Sequence, residues 1–468
     1  MSELETLALR CLLPGFAGES APDWLLRRIA SGLGGVVLYG RNVADRAQLT
    51  ALNAALHAER PELVIAIDEE GGDVTRLEAT TGSSYPGNLA LGAAGDTALT
   101  RDVACAMGSE LREVGIDLDL APVADVNTNP LNPVIGVRSF GSEAAAVAGH
   151  TLAWISGLQA AGVAACAKHF PGHGDTSVDS HLGLPVVGED PHMRALEPFR
   201  AAIAGDVRAV MSAHLVVPAI DGQPATISPR VMTALLRDEL GFRGLAVSDA
   251  LEMRGLSNGR DVADVAVRAL IAGCDALCIG GHLAGPEVVD EIVGSVVAAV
   301  GDGRLSERRL TEAALRVDAV AAWRKGHKSD THISREIGLA AARRAVSSDG
   351  PVRVGREAAV IRFESARSIA AGDVPWGVAA SLAARGVKVS PVQEVDEAAG
   401  KSVVLVVRDL HRLPEQQEAV DAWLARRPDA IVVEMGFPAC RPAGARAYIA
   451  THGSARVCAE AAAELMTG

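Results

Sequence analysis

A run of twenty residues, Lys168–Val187, concentrates side chains that could do chemistry. It holds one lysine, three histidines, two aspartates and three glycines, and it directly follows an apolar run at 162–167 that is typical of a buried strand. Histidine exchanges protons near neutral pH, and a neighbouring carboxylate can orient its ring. A polar, glycine-rich segment behind a core strand indicates a functional site. The alternative is a solvated loop that happens to be rich in histidine.

The elements that must position this segment are short apolar runs that alternate with amphipathic stretches. Eight such runs lie at 9–16, 34–39, 63–68, 116–123, 163–170, 207–214, 244–249 and 275–280. Helical patterns separate most of them, as at 45–58, 99–114 and 145–160. This alternation predicts a parallel sheet closed into a (β/α)8 TIM-type barrel, with a doubly wound open sheet as the alternative.

Polar residues at the ends of the predicted strands favour the barrel. They follow the third, fifth, sixth and seventh runs and comprise Asp68, Lys168, His169, Ser212, His214, Ser248 and Asp249. In a barrel the carboxyl ends of all strands converge on one face, which carries the active site. In an open sheet, ligands gather instead at one switch point. Several separate strand ends therefore predict one shared pocket.

A second unit follows the polar stretch at 325–332, which we interpret as a linker. Apolar runs at 358–363, 387–392, 401–409 and 429–437 alternate with helical patterns at 414–426 and 455–465. We therefore predict two domains: a catalytic barrel at 1–328 and a smaller C-terminal α/β sandwich with a mostly parallel sheet at 329–468.

Composition excludes some classes of function. The chain has 468 residues with a net charge of −14, which argues against nucleic-acid binding. Seven scattered cysteines, including a C-x3-C at 274–278, indicate buried thiols rather than a zinc site. The N-terminus lacks a basic region, and no apolar run approaches eighteen residues, so we expect a cytoplasmic protein without a membrane partner. The sequence does not predict the oligomeric state.

Four motifs resemble those of one known family. They are I-D-E-E-G-G-D-V-T-R (67–76), V-I-G-V-R-S-F-G (134–141), K-H-F-P-G-H-G-D (168–175) and S-D-A-L-E-M (248–253). In this order they resemble glycoside hydrolase family 3, in its β-N-acetylglucosaminidase branch. The resemblance covers roughly residues 1 to 325. It implies a glycoside hydrolase with a small-molecule glycoside as substrate and with no metal or organic cofactor.

Asp249 is the candidate nucleophile. A carboxylate delivered from a buried strand to the rim of a barrel is held rigidly and is partly desolvated. The alternative is an aspartate that caps the following helix. The S-D-A-L-E-M string resembles the nucleophile motif of the family, which implies attack on the anomeric carbon and a glycosyl-enzyme intermediate.

The same resemblance supplies a candidate acid/base. The family branch uses a loop histidine held by an aspartate two residues earlier, which matches His181 and Asp179. This spacing places both side chains on one side of an extended segment, so the carboxylate can fix the tautomer of the imidazole. A hydrogen-bonded loop histidine without a catalytic role is the alternative.

The remaining motif positions imply contacts with sugar hydroxyls. Asp68 and Arg76 match substrate-binding residues of the family, and Arg138 lies in the 134–141 motif. Lys168 and His169 form the adjacent donor pair. One departure occurs at Asp73, where the family commonly has an arginine, and it leaves the charge behind the pocket undetermined.

Other functions are possible alternatives for the same sequence. His173, Asp175, Asp179 and His181, or His169 with His214, have the side chains of a metal site. A non-enzymatic carbohydrate-binding protein is another alternative, although aromatic residues are only 3% of the chain. Nucleotide binding would need a G-x-G-x-x-G between strand and helix, which the sequence lacks in that setting.

The sequence therefore predicts a retaining exo-β-N-acetylglucosaminidase that acts on small glycosides, including muropeptide fragments from cell-wall turnover. A phosphorylase is one alternative, because a neutral histidine would not repel phosphate and three cations (Lys168, Arg76 and Arg138) would leave the rim positive. A family 3 β-glucosidase or β-xylosidase is the other enzymatic alternative. For the C-terminal domain we expect a supporting or substrate-facing part at most.

Overall fold

The computed structural model describes residues 1–188, 192–257, 261–280, 285–327, 333–365, 369–392 and 394–468. Two six-stranded sheets organise these residues, one in the N-terminal and one in the C-terminal part of the chain, and two two-stranded sheets accompany the first. The predicted domain boundary at 328/329 lies outside the described residues and stays a prediction.

Ten strands belong to the described residues of the N-terminal part. They are β1 Leu12–Pro14, β2 Gly35–Leu38, β3 Val64–Ile67, β4 Leu118–Asp119, β5 Ala164–Phe170, β6 Ala209–Ser212, β7 Val216–Val217, β8 Asp221–Pro224, β9 Leu245–Ser248 and β10 Leu277–Ile279. All but the β7–β8 hairpin coincide with the eight predicted apolar runs. These runs become strands because their residues are buried on both faces, as parallel barrel strands are.

The eight remaining strands form a TIM-type parallel arrangement, as predicted. Ladders join β2-β3-β4-β5-β6-β9 in this order and join β10 to β1. A parallel bridge between Val247 and Ala276 connects the two ladders. Beside β1, the N–H of Gly34 donates to the carbonyl of Leu9 at 3.2 Å, which brings β2 next to β1. The carboxyl ends of all eight strands therefore lie on one face.

Eleven helices lie in the described ranges of this part, and most of them cover the outside of the strands. They are α1 Glu3–Arg10, α2 Asp23–Ala30, α3 Arg46–Glu59, α4 Asn88–Ala94, α5 Thr97–Glu113, α6 Ala144–Ala160, α7 His192–Ala195, α8 Glu197–Ala204, α9 Val262–Ala272, α10 Pro286–Gly301 and α11 Glu307–Gly326, with a π-helical segment at Arg230–Glu239. Two apolar cores result, one inside the barrel and one between strands and helices.

The C-terminal part is an α/β sandwich around a six-stranded sheet. Its strands are β11 Ser347–Asp349, β12 Glu357–Arg362, β13 Lys388–Pro391, β14 Ser402–Val407, β15 Ile431–Glu434 and β16 Ala447–Ala450, in the order β11-β16-β15-β14-β12-β13. Only β11 is antiparallel to its neighbour. The helices are α12 Ile337–Ala345, α13 Ala379–Ala384, α14 Pro414–Arg426 and α15 Arg456–Thr467. The predicted mostly parallel sheet is confirmed, with β11 and β16 as additional strands.

The two sheets are joined through the loop that follows β3. Asp73 is buried in this loop, and its Oδ1 accepts hydrogen bonds from the backbone N–H and the hydroxyl of Ser454, both at 2.8 Å. Its Oδ2 pairs with Arg408 at 2.6 Å. Asp73, the position that departs from the motif of the family that the sequence resembles, is therefore a contact between the two parts of the chain.

Two further observations concern thiols and membranes. All seven cysteines are free; six are buried and Cys440 is half-buried, in agreement with the prediction of unpaired core thiols. Among the described residues, no helix has both the length and the apolar character needed to cross a bilayer.

Candidate active site

A cavity of about 300 Å3 opens at the carboxyl ends of the barrel strands. Seven of the eight predicted site residues line it, namely Asp68, Arg76, Arg138, Lys168, His169, His181 and Asp249. The eighth, Asp179, contacts the ring of His181. Of the other polar residues at strand ends, Ser212 and His214 instead bond to Thr226, at 2.9 and 2.8 Å. The structure thus brings the motif residues together in one place.

Lys168 is the centre of a buried ion-pair network in this cavity. Its side chain is only 2% exposed, and its Nζ lies 2.7 Å from Asp68 Oδ1 and 2.7 Å from Glu70 Oε1. Burial acts to lower the pKa of Lys168, but the charges of Asp68 and Glu70 outweigh it and raise the pKa above the ordinary value. The ammonium group therefore stays charged in the core.

Glu70 connects Lys168 to Arg138. Arg138 donates to both carboxylate oxygens of Glu70, from Nε at 2.9 Å and from Nη2 at 2.8 Å. Burial acts to raise the pKa of Glu70, yet Arg138 and Lys168 hold it well below its usual range. Sequence analysis missed Glu70, although it lies between Asp68 and Arg76 in the quoted motif. No sequence signal distinguishes it from Glu69, which instead accepts from the N–H groups of Arg76 and Leu77.

Arg76 lines the cavity and is held there by a contact with the C-terminal part of the chain. Its Nη2 donates to the carbonyl of Ala370 at 2.8 Å and lies 3.9 Å from Asp68 Oδ2. Ile369 and Ala370 both line the cavity. The C-terminal part therefore contributes to the wall of the site.

Asp125 holds His169. Its Oδ2 lies 2.7 Å from His169 Nδ1, and its Oδ1 accepts from the N–H of His173 at 2.6 Å. Burial acts to raise the pKa of Asp125, but the His169 ring outweighs it and lowers the pKa. The ionised Asp125 therefore accepts a hydrogen bond from Nδ1–H of His169, which leaves Nε2 of that ring for other partners. Sequence analysis missed Asp125, although it lies two residues beyond the predicted run at 116–123.

Asp249 follows β9 and is half-buried. Its Oδ1 accepts from the N–H of Ala250 at 2.7 Å. His214 Nε2 lies 2.9 Å from the carbonyl of Ala250 and so braces the same turn. Burial acts to raise the pKa of Asp249, but the imidazoles of His214, His169 and His181 outweigh it and hold the pKa below its usual value. The carboxylate is therefore ionised at neutral pH.

Asp179 and His181 form the predicted pair. Nδ1 of His181 lies 2.7 Å from Asp179 Oδ1, and the N–H of His181 donates to the same oxygen at 2.9 Å. Burial acts to raise the pKa of Asp179, while the hydrogen bond from His181 lowers it, with a net decrease. An ionised carboxylate only accepts, so Nδ1 carries the hydrogen. Nε2 is then the nitrogen free to exchange a proton.

The residues of the alternative metal site have other partners. His173 Nδ1 lies 2.7 Å from the hydroxyl of Thr176, and Asp175 accepts from Thr128 at 3.1 Å. Within the described ranges, no three or more His, Cys, Asp or Glu side chains are grouped to hold an ion.

The model of the glycosyl hydrolase family 3 N terminal domain matches residues 24–320, which is more than half of the chain. The chain belongs to glycosyl hydrolase family 3. The predicted family is thereby confirmed, and the matched segment contains every candidate site residue.

Similar proteins of this family carry names from the predicted branch. Beta-hexosaminidase A of Pseudoalteromonas piscicida is 35% identical over 373 residues, which span 71% of this chain and 62% of that protein. Beta-hexosaminidase of Bordetella parapertussis is 39% identical over 279 residues, 57% of this chain and 78% of that protein. A solved family 3 beta-N-acetylglucosaminidase from Paenibacillus has 33% identity and a TM-score of 0.89, and the match covers 100% of this chain and 97% of that one.

Because Glu70 is ionised in the network around Lys168, the free energy of unfolding of this family 3 protein should depend on pH through the protonation of Glu70. The free carboxyl titrates near ~4.3, and the folded protein lowers that pKa. The stabilisation is therefore complete above about pH 5 and is lost as the pH falls. We expect Glu70→Gln to lower the free energy of unfolding by about 3–5 kcal/mol at pH 7, because Lys168 and Arg138 lose their shared anion.

Urea denaturation of the native protein and of Glu70→Gln between pH 7 and pH 3 measures the difference between their free energies of unfolding. This difference should shrink steadily below pH 5. Glu62→Gln is the matched control, because Glu62 pairs with Lys325 at the surface, and it should change little at any pH. A Glu70→Gln deficit that stays constant down to pH 3 would contradict the ion-pair account.

Proposed function

We propose that this chain is a retaining exo-β-N-acetylglucosaminidase. The observation that carries the proposal is that one cavity holds an ionised carboxylate, Asp249, together with the imidazole of His181, whose Nδ1 is occupied by Asp179. The names of the similar proteins support the class of reaction. The first step needs a nucleophile and a proton donor at one glycosidic bond, and these two groups supply them.

In this mechanism Asp249 attacks the anomeric carbon while Nε2 of an imidazolium at His181 protonates the departing glycosidic oxygen. The C–O bond to the aglycone breaks, and a covalent glycosyl-Asp249 ester forms. In the second step, Nε2 of the now neutral His181 removes a proton from water, which attacks the same carbon and releases the sugar. Two displacements retain the configuration of the anomeric carbon.

The charged groups around the nucleophile orient the sugar. Lys168, Arg76 and Arg138 are donors, Asp68 is an acceptor, and His169 presents the ring nitrogen not held by Asp125. Such fixed donors and acceptors suit the hydroxyls of a neutral sugar ring. We extend the proposal to small GlcNAc-terminated glycosides, including muropeptide fragments of cell-wall turnover in the cytoplasm.

Hydrolysis is favoured over phosphorolysis by the charges of the cavity. From the sequence we expected Lys168, Arg76 and Arg138 to make the rim of the pocket positive. They do not, because each of these cations has a carboxylate neighbour. Lys168 contacts Asp68 and Glu70, Arg138 pairs with Glu70, and Arg76 lies 3.9 Å from Asp68. Paired cations attract a phosphate dianion weakly, so water is the better acceptor.

The substrate class is tested with 4-nitrophenyl glycosides. We expect the β-N-acetylglucosaminide to be hydrolysed with a much higher kcat/KM than the β-glucoside or β-xyloside, and we expect millimolar phosphate to leave the rate and the free GlcNAc product unchanged. Higher activity on the glucoside would assign the chain to another specificity of the family. Formation of GlcNAc-1-phosphate would replace hydrolysis by phosphorolysis.

The nucleophile is tested by removal and by trapping. Asp249→Ala should lose activity by several orders of magnitude, because no covalent ester can form. Mass spectrometry after incubation of the native protein with a slow 5-fluoro glycoside should place the label on the peptide containing Asp249. Glu252→Gln is the matched control, since Glu252 lines the same cavity, and it should retain activity and labelling. A label on Glu252 or Asp68 would overturn the assignment.

The acid/base role is tested with leaving groups of different acidity. His181→Ala should slow cleavage of a natural disaccharide by about 10²–10⁴-fold, but should affect a 2,4-dinitrophenyl glycoside far less, because that leaving group needs no proton. Asp179→Ala should show the same trend more weakly. Equal losses on both substrates would show that the loop has a structural role only.

A further inference from the structure

A second cavity, of about 1000 Å3, lies at the carboxyl edge of the C-terminal sheet. Its floor is formed by the end of β12 with Val360, by Val392 just after β13, and by Val406 in β14. The loop and helix start at 375–381 form one side. None of these residues belongs to the catalytic cavity, so this is a separate site.

The topology places this cavity where parallel sheets bind ligands. β13 and β14 lie on opposite sides of β12. The helix α13, which follows β12, packs Leu382 on the sheet face that carries Val360 and Val406. The helix α14, which follows β14, packs Trp423 on the opposite face. Chain connections that leave two adjacent strands toward opposite faces open a crevice between them, and ligands of α/β proteins occupy this crevice.

The walls combine aromatic rings with both donors and acceptors. Two of the chain's five tryptophans, Trp376 and Trp423, line the cavity together with Phe363. The polar side chains in the wall are those of Thr81, Arg362, Ser381, Glu397, Ser454 and Arg456. A site for a phosphate group would present cations without a carboxylate, whereas a ligand rich in hydroxyls uses guanidinium, carboxylate and hydroxyl groups alike.

We propose that this cavity binds a saccharide. The half-buried rings of Trp376 and Phe363 supply apolar contact for the faces of sugar rings, and the mixed polar groups supply partners for their hydroxyls. The volume of about 1000 Å3 accommodates several sugar units. The C-terminal part is thus a carbohydrate-binding unit in addition to its contact with the barrel.

The wall of this cavity is connected to the catalytic one through two shared loops. The loop after β3 carries Arg76 at the catalytic cavity and Thr81 at the second one. The C-terminal segment carries Ile369 at the first and Trp376 at the second. A glycan held in the second cavity would therefore be kept beside the site that trims glycans, without competing for that site.

The proposal is tested by measuring binding of an oligosaccharide rather than its turnover, so the outcome does not depend on whether the catalytic proposal is correct. Tetra-N-acetylchitotetraose is titrated calorimetrically into the full chain carrying Asp249→Ala, which prevents consumption of the ligand. Ala380→Trp is then added to fill the second cavity, because Ala380 is exposed and lines it. Ala384→Trp is the matched control on the same helix, since Ala384 is exposed but does not line the cavity.

We expect Ala380→Trp to remove one molar equivalent of binding, or to weaken it at least tenfold, while Ala384→Trp leaves it unchanged. Equal unfolding temperatures of the two tryptophan variants exclude a folding defect as the cause. If the catalytic cavity does not bind the oligosaccharide, the single remaining site should still be lost in Ala380→Trp. Binding that is identical in all three proteins would overturn the proposal.

Discussion

The burial of Lys168 between two carboxylates is the constraint on which the rest of the site depends. An ammonium group that is 2% exposed costs several kcal/mol unless anions and hydrogen bonds surround it. Asp68 and Glu70 come from the loop after β3, Arg138 from the loop after β4, and Lys168 from β5. The network thus ties three consecutive strand ends together. None of these groups can move far without leaving a charge unpaired in the core, so the proposed sugar contacts are fixed before any ligand arrives.

The same loop after β3 is held from its other side by the C-terminal part. Arg76 donates to the carbonyl of Ala370, and Asp73 accepts from Ser454 and pairs with Arg408. These contacts explain the departure from the family motif at position 73. An arginine there would confront Arg408 with a like charge, whereas aspartate neutralises it and satisfies two donors of Ser454. The C-terminal part therefore supports the loop after β3 from outside the barrel.

Sequence analysis predicted the barrel well because each of its strands is an apolar run buried on both faces. Of the two strands that it missed in the C-terminal sheet, β11 and β16, the first is exposed at Ser347–Asp349 and has no apolar pattern. The candidate site was predicted from motifs, and seven of its eight residues line one cavity. Glu70 and Asp125 were missed for a physical reason. Their importance comes from which cations lie beside them after folding, and such proximity depends on loop geometry that residue spacing does not encode.

The pKa values of two carboxyl groups in the catalytic cavity, Glu252 and Asp249, are shifted in opposite directions, and this difference separates their roles. Glu252 is half-buried and lies near the charge of Asp249, and its partial burial and that charge both raise its pKa. Asp249 is surrounded by imidazoles that outweigh the effect of burial and lower its pKa. When the environments of two neighbouring carboxyl groups shift their pKa values in opposite directions, the group that stays ionised is the one able to act as a nucleophile. A carboxyl group in the place of His181 would add a second negative charge beside Asp249 and favour its protonation. An imidazole at that position instead helps to keep the proposed nucleophile ionised, and in the proposed mechanism it also supplies the proton that the leaving group needs.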